Sequence, residues 1–409
     1  MADKTYDVIV FGATSFVGQI ICRYLLDNYG FDQEVKWAIA GRSEGKLAAV
    51  KQDLGQGAAE LPVLVADAAD EKALTALCEQ TRVVLSTVGP YALYGEPLVK
   101  VCAATGTDYC DLTGEVQWIR RMLDHHESAA KQSGARIVNC CGFDSIPSDL
   151  GVYFVQQAAQ ERFAKPCQRV KLRVKAAKGG FSGGTVASLM NVAKEATKSP
   201  ELRRQLADPY LLCLHGPANH AEQPDVKLAT FDKDFDAWLA PFVMAGINTR
   251  VVHRSNMLLN NGYGDGFQYD EALLTGSGAK GWLAAQGVTV GMGGFLAAAA
   301  IKPTRWLMEK YVLPAPGEGP SPREQENGFY DIRFYGQTDC GQMIRAKVTG
   351  DRDPGYGSTA KMISEAAICL AKEVPATAKA GGFWTPATVF GDALIARLTA
   401  KAGLTFELM

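Results

Sequence analysis

Over the first 150 residues, short unbroken apolar runs alternate with longer stretches of helical periodicity. The runs fall at Val8–Phe11 and near 35–40, 61–65, 82–86, 107–110 and 136–140. Helix-like segments lie between them, at Phe16 to about Tyr29 and near 43–54, 70–80, 94–105 and 115–133. Continuous apolar runs fit strands buried on both faces, and strand–helix alternation predicts a parallel sheet covered on both sides. The expected class is α/β, with a Rossmann-type doubly wound parallel sheet over residues 1–150.

Beyond Asp149 the rhythm changes. Gln168–Ala176 places Val170, Leu172 and Val174 on one face and Lys171, Arg173 and Lys175 on the other. A hairpin is predicted from Phe329–Tyr335 and Met343–Thr349, with Tyr330, Ile332 and Phe334 against Ile344, Ala346 and Val348. Its other face carries Arg333, Arg345 and Lys347. This is the pattern of a half-buried antiparallel sheet. If these strands share one sheet, the basic face either meets an anionic ligand, such as phosphopantetheine or lipid headgroups, or is solvated beside acidic partners.

Gly281–Ile301 is 21 residues without a charge, bracketed by Lys280 and Lys302 with Trp282 and Trp306 at the margins. Length and aromatic flanks fit a membrane span; five glycines, Gln286 and Thr289 count against one. Three readings stand: a span, a helix touching bilayer or lipid substrate, and a buried or dimer-interface helix. Residues 314–328 are rich in Pro and Gly and predict an irregular connection or a lid. A helix over 357–373, a Gly-Gly turn at 381–382, a helix over 387–401 and a strand Leu404–Leu408 complete the chain. Lys361, after the glycine-rich turn, either approaches a phosphate or is an exposed helix lysine.

Composition narrows the function classes. With 21% charged residues and a net charge of −2 across 409 residues, no global field points to nucleic acid or an anionic membrane. The ten cysteines include no Cys-x-x-Cys pair, and histidines 125, 126, 215, 220 and 253 show no ligand spacing, so no metal site is expected. Met1–Tyr6 is too short and polar for a signal peptide, which predicts a cytoplasmic chain.

The first strand runs into Gly12-Ala13-Thr14-Ser15-Phe16-Val17-Gly18. Gly12 permits a sharp turn, Gly18 allows close helix–strand packing, and the helix start presents free amides to a pyrophosphate. Ser15 stands where the fingerprint usually has its middle glycine. The second strand ends Ala38-Ile39-Ala40-Gly41-Arg42-Ser43, with no acid at the position that binds a ribose 2′-hydroxyl. Arg42 offers instead a planar fork for a 2′-phosphate, with Ser43 and Lys46 as further donors. NADP(H) is expected over NAD. Asp67 either binds the adenine amino group or caps a helix. The small residues of Ser86-Thr87-Val88-Gly89-Pro90 let backbone approach the nicotinamide half. Tyr91, Asp111 and Asp144 each follow a strand and are the candidate proton donors. Each has an alternative: the aspartates as turn caps, Tyr91 as packing on the cofactor. The chain lacks Tyr-x-x-x-Lys.

Together with Gly12–Gly18, several stretches resemble the saccharopine dehydrogenase-like oxidoreductases, in the branch of trans-acting enoyl reductases. They are 40–47, 87–96, Tyr109-Cys110-Asp111-Leu112-Thr113-Gly114-Glu115, Gly142-Phe143-Asp144-Ser145-Ile146-Pro147-Ser148-Asp149, 182–185, 353–361 and Gly381-Gly382-Phe383-Trp384-Thr385-Pro386. The resemblance implies an NADP-binding domain (1–150, completed by about 355–409) and an inserted substrate or dimerisation α+β domain with a mixed sheet (151–354). It implies an NADP(H)-dependent reductase of a lipid or polyketide enoyl chain, free or bound to an acyl carrier. The alternatives are a saccharopine-type imine dehydrogenase and a nucleotide-binding protein at membranes without turnover. Expected partners include a peripheral membrane contact through 281–301 and a second copy of the chain, but no nucleic acid.

Overall fold

The computed structural model describes residues 4–179, 183–214, 221–311 and 318–409. Ser182, His215, His220 and the first part of the 314–328 segment lie outside them.

Fourteen strands are present among the described residues: β1 (Tyr6–Phe11), β2 (Trp37–Gly41), β3 (Val63–Val65), β4 (Thr81–Ser86), β5 (Asp108–Asp111), β6 (Arg136–Val138), β7 (Cys167–Lys178), β8 (Thr230–Asp232), β9 (Ala237–Pro241), β10 (Gln268–Gly276), β11 (Phe329–Thr338), β12 (Met343–Gly350), β13 (Gly382–Trp384) and β14 (Leu404–Leu408). They form two sheets of seven. The first, in the order β13-β6-β5-β4-β1-β2-β3, is wholly parallel.

The unbroken apolar run of β1 is explained by burial on both faces. Val8 and Val10 pack with the helices Phe16–Tyr29, Glu44–Leu54 and Thr359–Lys372. Ile9 and Phe11 pack on the other side with Glu71–Cys78, Glu96–Thr105 and Val116–Ser133. Chain order reverses between β1 and β4, so a crevice opens at their carboxyl ends, where ligands of such sheets bind.

The second sheet runs β14-β12-β11-β7-β10-β9-β8 and is mixed, with β7 and β10 parallel and the other neighbours antiparallel. The hairpin register is the one its alternation predicts, with Ile332 opposite Val348 and Phe334 opposite Ala346. Much of its basic face is paired with acids of the same chain. Lys171 pairs with Asp232, buried Arg173 with Asp232 and Asp270, and Arg333 with Asp331. These pairs support the acidic-partner reading of that face, although among the described residues the Arg345 side chain donates only to the Asp234 carbonyl.

Several expectations need correction. The C-terminal segment divides between the sheets: Thr359–Lys372 and β13 join the first, but β14 pairs with β12 of the second. The 387–401 helix is broken at Gly391 (φ +50°) into Pro386–Val389 and Asp392–Lys401. Within 314–328, Pro322–Glu326 is a helical turn, because Ser321 and Glu324 form a capping box. The apolar helix, Gly278–Ala300, is mostly exposed rather than buried in the chain. Nor does it span a bilayer: β10 before it and β11 after it both pair with β7, so the chain returns to the sheet it left.

Candidate active site

The turn after β1 is fixed by steric and hydrogen-bonding constraints that only its own residues meet. Gly12 has φ +92°, and a Cβ there would lie 2.6 Å from Thr87 Oγ1 and 2.9 Å from Val88 Cγ2. At Gly18 a Cβ would meet the Gly12 carbonyl at 2.3 Å. Ser15 gains a role no glycine could fill. Its hydroxyl accepts from the Gly18 amide at 2.9 Å, capping the helix, and bonds Thr87 Oγ1 at 2.9 Å. Thr87 Oγ1 in turn donates to the Gly12 carbonyl at 2.9 Å. Ala13 is buried, while Thr14, Phe16 and Val17 are half-buried beside it. Phe16 stacks edge-on with Tyr356 at 5.2 Å, so the 353–358 turn closes over this helix start.

Arg42 stands exposed at the tip of β2, and among the described residues its guanidinium has no hydrogen-bond or ion-pair partner. Ser43 caps the next helix through the Lys46 amide, at 3.4 Å, and the Lys46 side chain is exposed. Asp67 is exposed and holds the Ala69 amide at 2.9 Å, whereas the helix cap is Asp70. A narrow backbone cradle with a free guanidinium one strand away fits a dinucleotide bearing a 2′-phosphate.

On the other side of the crevice, Ser86 is buried, its hydroxyl accepting from the Val88 amide at 3.4 Å. The Gly89-Pro90 peptide is cis. Tyr91 is buried; its hydroxyl donates to the Ser86 carbonyl at 3.0 Å and accepts from the Leu112 amide at 3.1 Å. Burial, then the Asp111 charge, hold its pKa well above the usual value. Tyr91 thus bridges two loops.

Asp111 is fully buried at the end of β5. It accepts from Tyr109 (3.1 Å), Asn139 (2.8 Å) and the amides of Thr113 and Cys140 (both 3.1 Å). Burial raises its pKa to about 6, against the pull of those donors. Asp144 differs. It sits partly exposed in the loop after β6, and among the described residues its carboxylate has no hydrogen-bond partner. Removal from water and then the Asp111 charge raise its pKa to about 7. Of the three candidates it alone has an uncommitted proton-carrying group.

Sequence reasoning assigned no role to three groups that build this loop cluster. Glu115 accepts from the Tyr91 and Ala92 amides (2.8 and 3.0 Å) and from Ser188 (3.0 Å), and burial raises its pKa. Thr359 accepts from the Phe143 amide at 3.0 Å, fastening the C-terminal helix beside Asp144. Ser145 donates to Asn248 (3.1 Å), which donates to Glu271 (2.9 Å), tying the Asp144 loop to the second sheet. The contacts of Thr359 with Phe143 and of Ser145 with Asn248 join residues more than 100 positions apart and left no local signal. Asp149 is spent on Ser255 and the Ala387 amide, and Lys361 on Asp351. His125 and His126 converge on Glu96 at 3.2 and 3.5 Å, a carboxylate that Arg121 also meets.

Comparison with known proteins agrees with this geometry. Residues 8–138 match the model of the saccharopine dehydrogenase NADP binding domain. A protein of Mycobacterium tuberculosis assigned by name to the trans-acting enoyl reductases is 40% identical, covering 99% of this chain and 97% of its own. The trans-acting enoyl reductase of Mycobacterium bovis is 36% identical over 97% of this chain and 96% of its own. Among solved structures, apo saccharopine dehydrogenase (L-Glu forming) of Saccharomyces cerevisiae superposes with a TM-score of 0.53 at 12% identity, covering 99% of this chain and 100% of that one, which shows a shared fold.

Proposed function

The chain belongs to the saccharopine dehydrogenase-like oxidoreductases, and on that premise we propose that it reduces the C=C bond of a lipid or polyketide enoyl chain carried by another protein. It is an NADP-dependent oxidoreductase. The amides at the start of the Phe16–Tyr29 helix would hold the pyrophosphate, with Arg42 and Lys46 at the 2′-phosphate. Ser86–Pro90 would face the nicotinamide half. The bound cofactor supplies the hydride. Asp144 supplies the proton for the other carbon of the double bond, since its carboxyl is half-protonated near neutrality and free to donate. Asp111, Tyr91 and Glu115 hold the three loops at their spacing.

One observation favours an enoyl chain over an amino-acid imine. The loops 86–91, 110–115 and 140–148 at the carboxyl edge of the first sheet contain no Lys or Arg. An imine formed from two amino acids presents carboxylates that need paired cations; an enoyl thioester needs none. The test is NADPH consumption by the purified chain with a carrier-bound 2-enoyl thioester against a glutamate-derived imine. Oxidation with the thioester and none with the imine is expected. The reverse preference overturns the assignment, and cofactor binding without turnover on any acyl chain favours a non-catalytic role.

A further inference from the structure

The helix Gly278–Ala300 breaks the rule that a water-facing helix carries charge on its outer side. At 1.5 Å per residue its 23 residues are about 34 Å long. One stripe faces the protein: Gly281, Ala285, Gln286, Thr289, Met292, Phe295 and Ala299 are buried or half-buried against β9, β10 and the Gly183–Lys198 helix. Both uncharged polar residues, Gln286 and Thr289, lie on that stripe, and Thr289 spends its hydroxyl on the Ala285 carbonyl. The remaining face has no hydrogen-bonding side chain between Leu283 and Ala299. Val290 is 71% exposed, Leu283 62% and Leu296 47%. A patch of this kind marks a contact surface.

Its rim identifies the partner's chemistry. From Ala272 to Met308 the only charges are Lys280, Lys302 and Arg305, all positive, in a chain whose net charge is −2. Trp282 and Trp306 are exposed beside them. An apolar face edged by tryptophan and cations is what an anionic bilayer surface complements, with rings and ammonium groups at headgroup depth. A second copy of this chain would bring the same positive rim against itself.

We infer that the outer face of Gly278–Ala300 lies in the surface of an anionic membrane, with Lys280, Lys302 and Arg305 at the headgroups. The chain enters and leaves on one side, as the shared sheet requires. The inference does not depend on the enzymatic reading, and its test needs no substrate.

Full-length protein is floated with vesicles of phosphatidylcholine containing one-third phosphatidylglycerol, and with pure phosphatidylcholine. It should partition onto the anionic vesicles and more weakly onto the neutral ones. The double substitution Val290→Asp, Leu296→Asp should lower partitioning at least about tenfold, with NADPH affinity unchanged as the check on folding. Lys302→Glu with Arg305→Glu should remove only the preference for anionic lipid. No partitioning by the native chain, partitioning that survives the double substitution, or a soluble dimer that the substitution dissociates would each overturn the inference.

Discussion

Replacing Asp144 by Asn should lower kcat by about 10²–10⁴-fold, the usual share of a positioned proton donor, while NADPH still binds. The substitution keeps size and polarity but removes the only uncommitted acid of the loop cluster. The pH profile separates this role from a structural one. An acid with a raised pKa is active when protonated, so kcat/KM should be flat below about pH 7 and fall as pH rises through it. The Asp144→Asn enzyme should retain a low, pH-independent residue of activity. Asp111→Asn is the contrast: its carboxylate accepts four hydrogen bonds, so its loss should appear first in stability. Full turnover by Asp144→Asn, with an unchanged profile, would remove Asp144 from the mechanism.

The second large effect is expected at Gly12. Valine there must adopt φ +92°, a region β-branched residues avoid at a cost of about 1–3 kcal/mol. Its Cβ would also press on Thr87 Oγ1, which cannot retreat because it bonds both Ser15 and the Gly12 carbonyl. Relief must come from the turn itself, so the amides at the helix start lose their aim. Gly12→Val should bind NADPH at least about a hundredfold more weakly, equivalent to ~2.7 kcal/mol, with its far-ultraviolet circular dichroism retained. Undiminished affinity would mean that the pyrophosphate sits elsewhere.

The parallel sheet and its crevice were legible because their signals are local. Val8–Phe11 is apolar without interruption since both faces of β1 are covered, and Gly12 with Gly18 mark places where only hydrogen fits. Arg42 could be read because an expected acid was missing at one position. The hairpin register followed from a period of two. What stayed hidden depends on distant partners. Strands β8, β9 and β13 are three to five residues long and take their conformation from neighbours. β14 resembles any terminal strand, and only its pairing with β12 assigns it to the second sheet. Among Tyr91, Asp111 and Asp144 the sequence offered no choice, because all three follow strands. Hydrogen-bond partners separate them: two carry the loops, and one is left to react.

Everything catalytic rests on the turn after β1 and the guanidinium at the tip of β2 holding one cofactor. Isothermal titration of the folded chain with NADPH and with NADH tests this directly. Heat of binding with NADPH, at an affinity at least about tenfold above that for NADH (~1.4 kcal/mol), and loss of that difference in Arg42→Ala, are predicted. No heat with either coenzyme, or a preference for NADH, would contradict it.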